Sequence, residues 1–275
     1  MFDYNQLSIA ASRPGLWTVT FSNPPINLLD ATTITELQAL MSDIETDHSV
    51  KVVVFQAADP DFFIAHFDTS KAAEVPRTPG PTGSMPWIDF VLRLSSAPVV
   101  SIAKVRGRAR GVGNEFVLAC DMRFASRQKA IFGNPEVGVG VPPGGGALEW
   151  LPRIVGRSRA LEICLSGDDF DADIAERYGL VNRTLDDGEL DAFVDNIASR
   201  LASFDREALC AVKTQVNRVG MPTATEIESS NAMFFAGLGG SQSKARRANV
   251  RTLGYGVRSD FEVNFGRYLP SLAPK

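Results

Sequence analysis

The sequence predicts an α/β fold, and three features carry that prediction. Short β-rich runs alternate with stretches of helical apolar spacing, a glycine-rich turn joins a buried strand to a helix near the middle, and the second half is mainly helical. With 275 residues, 44% of them hydrophobic, the chain can bury a sizeable core. No internal repeat is evident, and no linker divides two independent cores.

Residues 7–11 and 16–21 are β-rich runs on either side of Arg13-Pro14-Gly15, a natural hairpin turn. Asn23-Pro24-Pro25-Ile26-Asn27 is a loop. Asp30 or Thr32 then caps a helix whose apolar positions Ile34, Leu37, Leu40, Met41 and Ile44 fall at helical spacing. Residues 52–56 read as a buried strand, so strand, helix and strand imply parallel sheet or a related β-β-α arrangement. Residues 76–86, PRTPGPTGSMP, read as a flexible surface loop, because Pro, Gly and Ser dominate them. Trp87, Phe90, Val91 and Leu94 resume helical spacing. Past the middle, residues 158–163, 173–178 and 189–204 are helical, with Asp171 a good cap.

The chain is organised around residues 99–146. Residues 99–105 form a strand, glycines at 107, 111 and 113 allow a sharp turn, and residues 114–119 start a helix. The first amides of a helix lack intrahelical partners and point outward, which suits an oxyanion. Glu115 lies in that first turn, and Glu136 closes the turn-rich Gly133-Asn134-Pro135-Glu136. Either carboxylate could serve only structure, Glu115 on the helix dipole and Glu136 on turn amides. There is no GxGxxG and no GK[ST], so neither a dinucleotide fingerprint nor a phosphate loop is matched.

A net charge of −4 argues against a nucleic-acid or acidic-membrane partner. Cys120, Cys164 and Cys210 lie in apolar sequence without CxxC pairing, which favours reduced thiols and a cytoplasmic setting over disulfides or a zinc site. The N-terminus shows no secretory pattern, and no apolar run is long enough to span a bilayer. Arg106, Arg108 and Arg110 alternate as a phosphate-binding face or a surface charge ladder, and Lys244, Arg246 and Arg247 offer a second basic patch. His48 reads as solvated. Ser158 and Ser166 have no His and Asp partners in a hydrolase pattern.

The order and spacing of five segments resemble the crotonase (enoyl-CoA hydratase/isomerase) superfamily. They are Gly-Arg-Ala-Arg-Gly-Val-Gly-Asn-Glu at 107–115, Ala-Cys-Asp-Met-Arg at 119–123, Phe-Gly-Asn-Pro-Glu at 132–136, Pro-Pro-Gly-Gly-Gly at 142–146 and Leu-Pro-Arg-Ile-Val-Gly at 151–156. Leu165-Ser166-Gly167 and residues 175–182 extend the likeness, which runs from about residue 7 to about residue 217. The resemblance implies a β-β-α spiral core over 1–200 and a C-terminal helical region over 201–275 that caps the site and contributes to oligomerisation. It also implies a homotrimer or dimer of trimers in fatty acid metabolism. The substrate would be an acyl-CoA thioester, with no metal and no cofactor apart from the coenzyme A carried by the substrate.

By the same resemblance, Glu115 holds and activates water and Glu136 moves the proton at Cα. The backbone N–H groups of Phe67 and Val112 bind the thioester oxygen, and Pro25, Ile26, Ala65, His66, Asp68 and Gly111 line the substrate. The reaction implied is reversible addition of water to a trans-2-enoyl-CoA. A double-bond isomerase or a C–C (β-diketone) hydrolase reuses the same hole, and a silent acyl-CoA-binding or partner-binding protein is the non-enzymatic alternative. Asp68 reads as turn-stabilising. The chain departs from the family pattern at His66 and Val112, where glycine is usual, and in its last fifty or so residues. His66 is expected to act as an acid, base or donor beside the hole, to point away from the ligand, or to distort the turn and displace the Phe67 amide.

Overall fold

The computed structural model describes residues 3–273. Strands β1 (Leu7–Arg13) and β2 (Leu16–Phe21) form the expected antiparallel hairpin, with Leu7 opposite Phe21. Helix α1 (Ala31–Thr46) is capped by Asp30, whose side chain accepts from the Thr32 and Thr33 amides, and leads to β3 (Val52–Ala57), parallel to β2. One unit then recurs. A strand enters a large sheet, a short strand enters a second sheet, and a helix returns the chain.

The first unit is β3, β4 (Phe62–Ile64) and α2 (Pro86–Ser96), and the second is β5 (Val100–Val105), β6 (Arg108–Arg110) and α3 (Val112–Ala119). The third is β7 (Met122–Ser126) and β8 (Ile131–Gly133) with α4 (Ala147–Val155) and α5 (Arg157–Ser166). Strand β9 (Phe170–Asp171), α6 (Ala172–Tyr178), β10 (Arg183–Leu185) and α7 (Asp187–Ala202) follow. The large sheet has the order β1-β2-β3-β5-β7-β10 and the second β4-β6-β8-β9. The result is the β-β-α spiral. Helices α8 (Arg206–Gly220), α9 (Ala224–Leu238), α10 (Ser241–Thr252), α11 (Asp260–Val263) and α12 (Phe265–Tyr268) make the C-terminal helical region.

Burial explains the layering. One face of the large sheet sends Leu16, Val52, Val54, Val100 and Ile102 against Leu190 and Val194 of α7. The other packs on α1, α2 and α3, where Phe116 meets Phe21, Phe55 and Phe90 at 5.1, 5.0 and 5.8 Å between ring centroids. Truncating such a side chain costs about 3–5 kcal/mol, so α3 is anchored by the residue next to Glu115.

One expectation needs refining and one needs correction. Residues 76–85 form the expected surface loop, but it is tethered at its end, because the Thr82 amide and hydroxyl both donate to Asp89 at 2.7 Å and Ser84 donates to Glu228 at 2.7 Å. The arginines are neither a phosphate face nor an exposed ladder. Arg106 pairs with Asp187 and Asp191, Arg108 donates to the Val263 carbonyl, and fully buried Arg110 grips Asp169 through two nitrogens. Cys120 and Cys164 are buried free thiols and Cys210 is a partly buried one. Among the described residues no helix is long and apolar enough to cross a membrane.

Candidate active site

A cavity of about 580 Å³ opens between the spiral core and helices α9 and α10. That volume suits a small organic ligand. Its core wall carries Phe67, Val112, Glu115 and Glu136, and its roof carries Phe234, Leu238, Arg247 and Val250. Residues 75–77 and Met85 line it as well, so part of the Pro-rich segment forms its edge.

Helix α3 presents Glu115. The carboxylate accepts from the Gly145 amide at 2.7 Å and the Ala147 amide at 3.2 Å, both at Oε1. Position 145 must be glycine, since a Cβ there would lie 2.2 Å from Glu115 Oε2 and 2.4 Å from Trp87 Nε1. Trp87 in turn donates to the Gly145 carbonyl at 3.1 Å.

Glu136 sits on the turn after β8. Asn114, beside Glu115, donates to Asn134 at 2.8 Å and ties that turn to α3. Gly111, at φ +53°, leaves room for Glu136, whose Oε1 would be 2.9 Å from a Cβ there. Glu136 Oε2 is buried with no hydrogen-bond partner among the described residues.

Burial raises both carboxyls above the ordinary range. They differ in what opposes that rise. Two backbone amides favour the charged form of Glu115, while the charge of Glu115 adds to the rise at Glu136. Both carboxyls thus hold a proton above the ordinary carboxylate range, and an interacting pair of this kind can supply an acid and a base on one wall.

Phe67 and Val112 also face this cavity. The His66 carbonyl accepts from the Leu29 amide at 3.0 Å and the Asp68 amide donates to the Leu29 carbonyl at 2.9 Å. Leu29 thus holds the turn from outside. The Phe67 amide makes no hydrogen bond to protein among the described residues, and Val112 opens α3, where the helix offers its amide no acceptor.

His66 has an ordinary backbone, since Asn27 is the one described non-glycine residue with positive φ. The turn at 66 does not require glycine. Its ring points to the C-terminal region, with Nε2 3.0 Å from Glu262 Oε2.

Of the expected site residues, the structure brings Glu115, Glu136, Phe67, Val112, His66 and Gly111 to one cavity. Pro25, Ile26, Ala65 and Asp68 do not line it. Pro25 is exposed, Ile26 and Ala65 pack with Phe62, and Asp68 caps the turn at Thr69–Glu74 by accepting from the Ser70 amide at 3.0 Å. His48 is exposed. In the second basic patch Lys244 is exposed, Arg246 donates to the Gly138 carbonyl at 3.2 Å, and Arg247 lines the cavity together with Arg251. Trp87, Asn114, Asn134, Gly145, Tyr255 and Glu262 escaped sequence reasoning. Their roles rest on contacts between residues far apart in the chain. Among the described residues no three His, Cys, Asp or Glu side chains cluster as a metal site.

Comparison with known proteins supports this picture. The enoyl-CoA hydratase/isomerase family model matches residues 12–248. The chain is 33% identical over 201 residues to a short-chain-enoyl-CoA hydratase of Clostridium acetobutylicum, covering 73% of this chain and 77% of that protein. It is 34% identical over 214 residues to a crotonyl-CoA hydratase of Syntrophomonas wolfei, covering 74% and 79%. A Streptomyces avermitilis crystal structure carrying a provisional enoyl-CoA hydratase name superimposes with a TM-score of 0.94 at 41% identity, over 100% of this chain and 99% of that one.

Proposed function

The chain belongs to the enoyl-CoA hydratase/isomerase family, and on that premise we propose that this enzyme catalyses reversible hydration of a trans-2-enoyl-CoA. The observation that carries the reading is the pair of buried carboxyls, Glu115 and Glu136, which can supply a base and an acid on one cavity wall. In this reading ionised Glu115 takes a proton from water as the oxygen adds to Cβ. Protonated Glu136 delivers a proton to Cα, and the thioester oxygen, which gains negative charge as the enolate forms, accepts from Phe67 and Val112. Water adds across the double bond, and the acid and base exchange protonation states until solvent resets them.

Oxyanion stabilisation by the Phe67 and Val112 amides is part of the proposal. So is coenzyme A, whose phosphates would meet Arg77, Arg247 or Arg251 at the cavity. We assign capping of the site to the C-terminal helical region, a role supported by α9 and α10 on the cavity roof. Assembly as a homotrimer or dimer of trimers is supported by the exposed ridge Val212, Val216 and Val219 on α8, and light scattering of the purified protein tests it.

The experiment for the reaction is turnover of a panel of enoyl-CoA thioesters in ¹⁸O water, read by mass spectrometry. One label in a 3-hydroxyacyl-CoA product is expected. No turnover of any enoyl-CoA, with double-bond migration or cleavage of a β-diketone instead, overturns hydration in favour of the isomerase or C–C hydrolase reading.

A further inference from the structure

We propose that His66, held as an imidazolium by Glu262 and backed by Tyr255, is a positioning residue that fixes the Phe67 turn. The inference rests on the hydratase reading and adds to it a part supplied by the C-terminal segment.

The hydrogen-bond geometry decides the protonation state. His66 Nδ1 lies 3.1 Å from the Phe67 carbonyl oxygen, and Nε2 lies 3.0 and 3.1 Å from the two oxygens of Glu262. A carbonyl and a carboxylate only accept, so each ring nitrogen must carry a proton. A neutral ring would turn a lone pair onto one of those oxygens. Glu262 is completely buried and also accepts from the Gly256 amide at 2.7 Å, while Arg110 donates to the Glu262 carbonyl at 2.6 Å.

The turn is pinned on both sides. Leu29 holds the carbonyl of His66, and the Phe67 carbonyl accepts from the Tyr255 hydroxyl at 3.1 Å as well as from His66. Tyr255 also stacks on the His66 ring at 4.8 Å with 26° between planes, and Phe265 lies 5.5 Å away. Because a trans peptide directs its N–H opposite its C=O, the Leu29 contact on the His66 carbonyl sets where the Phe67 amide points, and the His66 ring and Tyr255 keep the turn from rotating by holding the following peptide. The charged groups facing the ring are Glu262 and, further off, Arg110, which is neutralised by Asp169. Asp68, next along the chain, is engaged with Ser70.

Tyr255 and Glu262 both lie past residue 248, where the family model's match ends. The histidine and the groups that make it affordable therefore come together in this chain. A turn held rigid keeps the Phe67 amide aimed at an oxygen that gains negative charge only as the enolate forms, so loosening it lowers kcat more than it raises KM.

Two measurements test this. The chain has two histidines, of which His48 is exposed. In ¹⁵N imidazole spectra of the full chain, His66 should keep both ring protons to a pH above the ordinary histidine range, and Glu262→Gln should bring its deprotonation down. In crotonyl-CoA hydration, Glu262→Gln and Tyr255→Phe should each lower kcat, by about 10- to 100-fold and about 3- to 10-fold, with KM changed far less. Glu262→Asp should restore part of the loss. Tyr255→Phe removes only a hydroxyl and keeps the test open if Glu262→Gln does not fold. A His66 that loses a ring proton within the ordinary histidine range, or variants that fold with wild-type kcat, would overturn the proposal. The spectra do not depend on turnover, so a wild-type protein that hydrates no enoyl-CoA counts against the hydratase reading alone.

Discussion

Two buried titratable pairs flank one cavity, and they are built on opposite plans. Glu115 and Glu136 are two carboxyls that cannot both ionise easily, and one Glu136 oxygen lacks any partner among the described residues. His66 and Glu262 are oppositely charged, and each polar atom of the two side chains has a partner. Similar burial thus produces reactivity in the first pair and rigidity in the second, because burial penalises any charge that lacks compensation. The first pair comes from the spiral core. The second joins the core to the segment that closes over it.

The comparison breaks most readily at the first pair. Glu115→Gln and Glu136→Gln should each lower kcat about 10²- to 10⁴-fold while circular dichroism shows the fold unchanged, since each removes proton transfer at nearly constant volume. Near-normal turnover in both variants would reject the two-carboxyl mechanism. On the other side, Arg110→Met should destabilise the protein by about 3–5 kcal/mol in urea unfolding. It strands half-buried Asp169 and takes the donor from the buried Glu262 carbonyl. An unchanged midpoint would show that the closing segment holds without this anchor.

The pH profile sharpens the contrast. The proposed mechanism needs Glu115 ionised and Glu136 protonated, so kcat/KM should fall on the acid side as Glu115 gains its proton and on the alkaline side as Glu136 loses its own. Both limbs lie above the ordinary carboxylate range. In Glu136→Gln the alkaline limb should vanish from the residual activity. A profile flat through neutrality in the wild type would remove the acid and base assignments.

The smallest effects are on stability, and they have opposite signs. Glu136 has a raised value in the fold, so the wild type loses stability as pH rises from the ordinary carboxylate range through that value. Glu136→Gln escapes the loss and should melt higher at alkaline pH. For His66 the raised value means that the ion pair contributes fully below the unfolded histidine value and is lost as pH rises through the folded one. Glu262→Gln should therefore melt lower near neutrality. Each shift should be about 1 kcal/mol, roughly 2–4 °C in scanning calorimetry.

Much of the fold was legible because it is local. Asp30 and Asp171 cap the helices that their side-chain chemistry implies, and the apolar periods of residues 34–44 and 87–94 became α1 and α2. The second sheet was not legible, since β4, β6 and β8 have three residues each and β9 has two, too few for any periodicity. The tether on residues 76–85 was not legible for a related reason. Composition there describes what the segment can do alone, whereas Asp89 and Glu228 decide what it does when folded.

For the site, the sequence by itself determined the pieces: Glu115 in the first turn of a helix, Glu136 after a Pro-containing turn, and a histidine where its resemblance calls for glycine. The resemblance assigned the proposed roles of the two carboxyls, and only the tertiary structure showed the Gly145 and Ala147 amides reaching Glu115 across some thirty residues. Only it could show that Arg106, Arg108 and Arg110 are spent on ion pairs and carbonyls. The meaning of His66 likewise waited on Glu262, 196 positions away. Charge and burial are properties of neighbours, and along a chain of this topology the neighbours that tune a proton are not the neighbours in sequence.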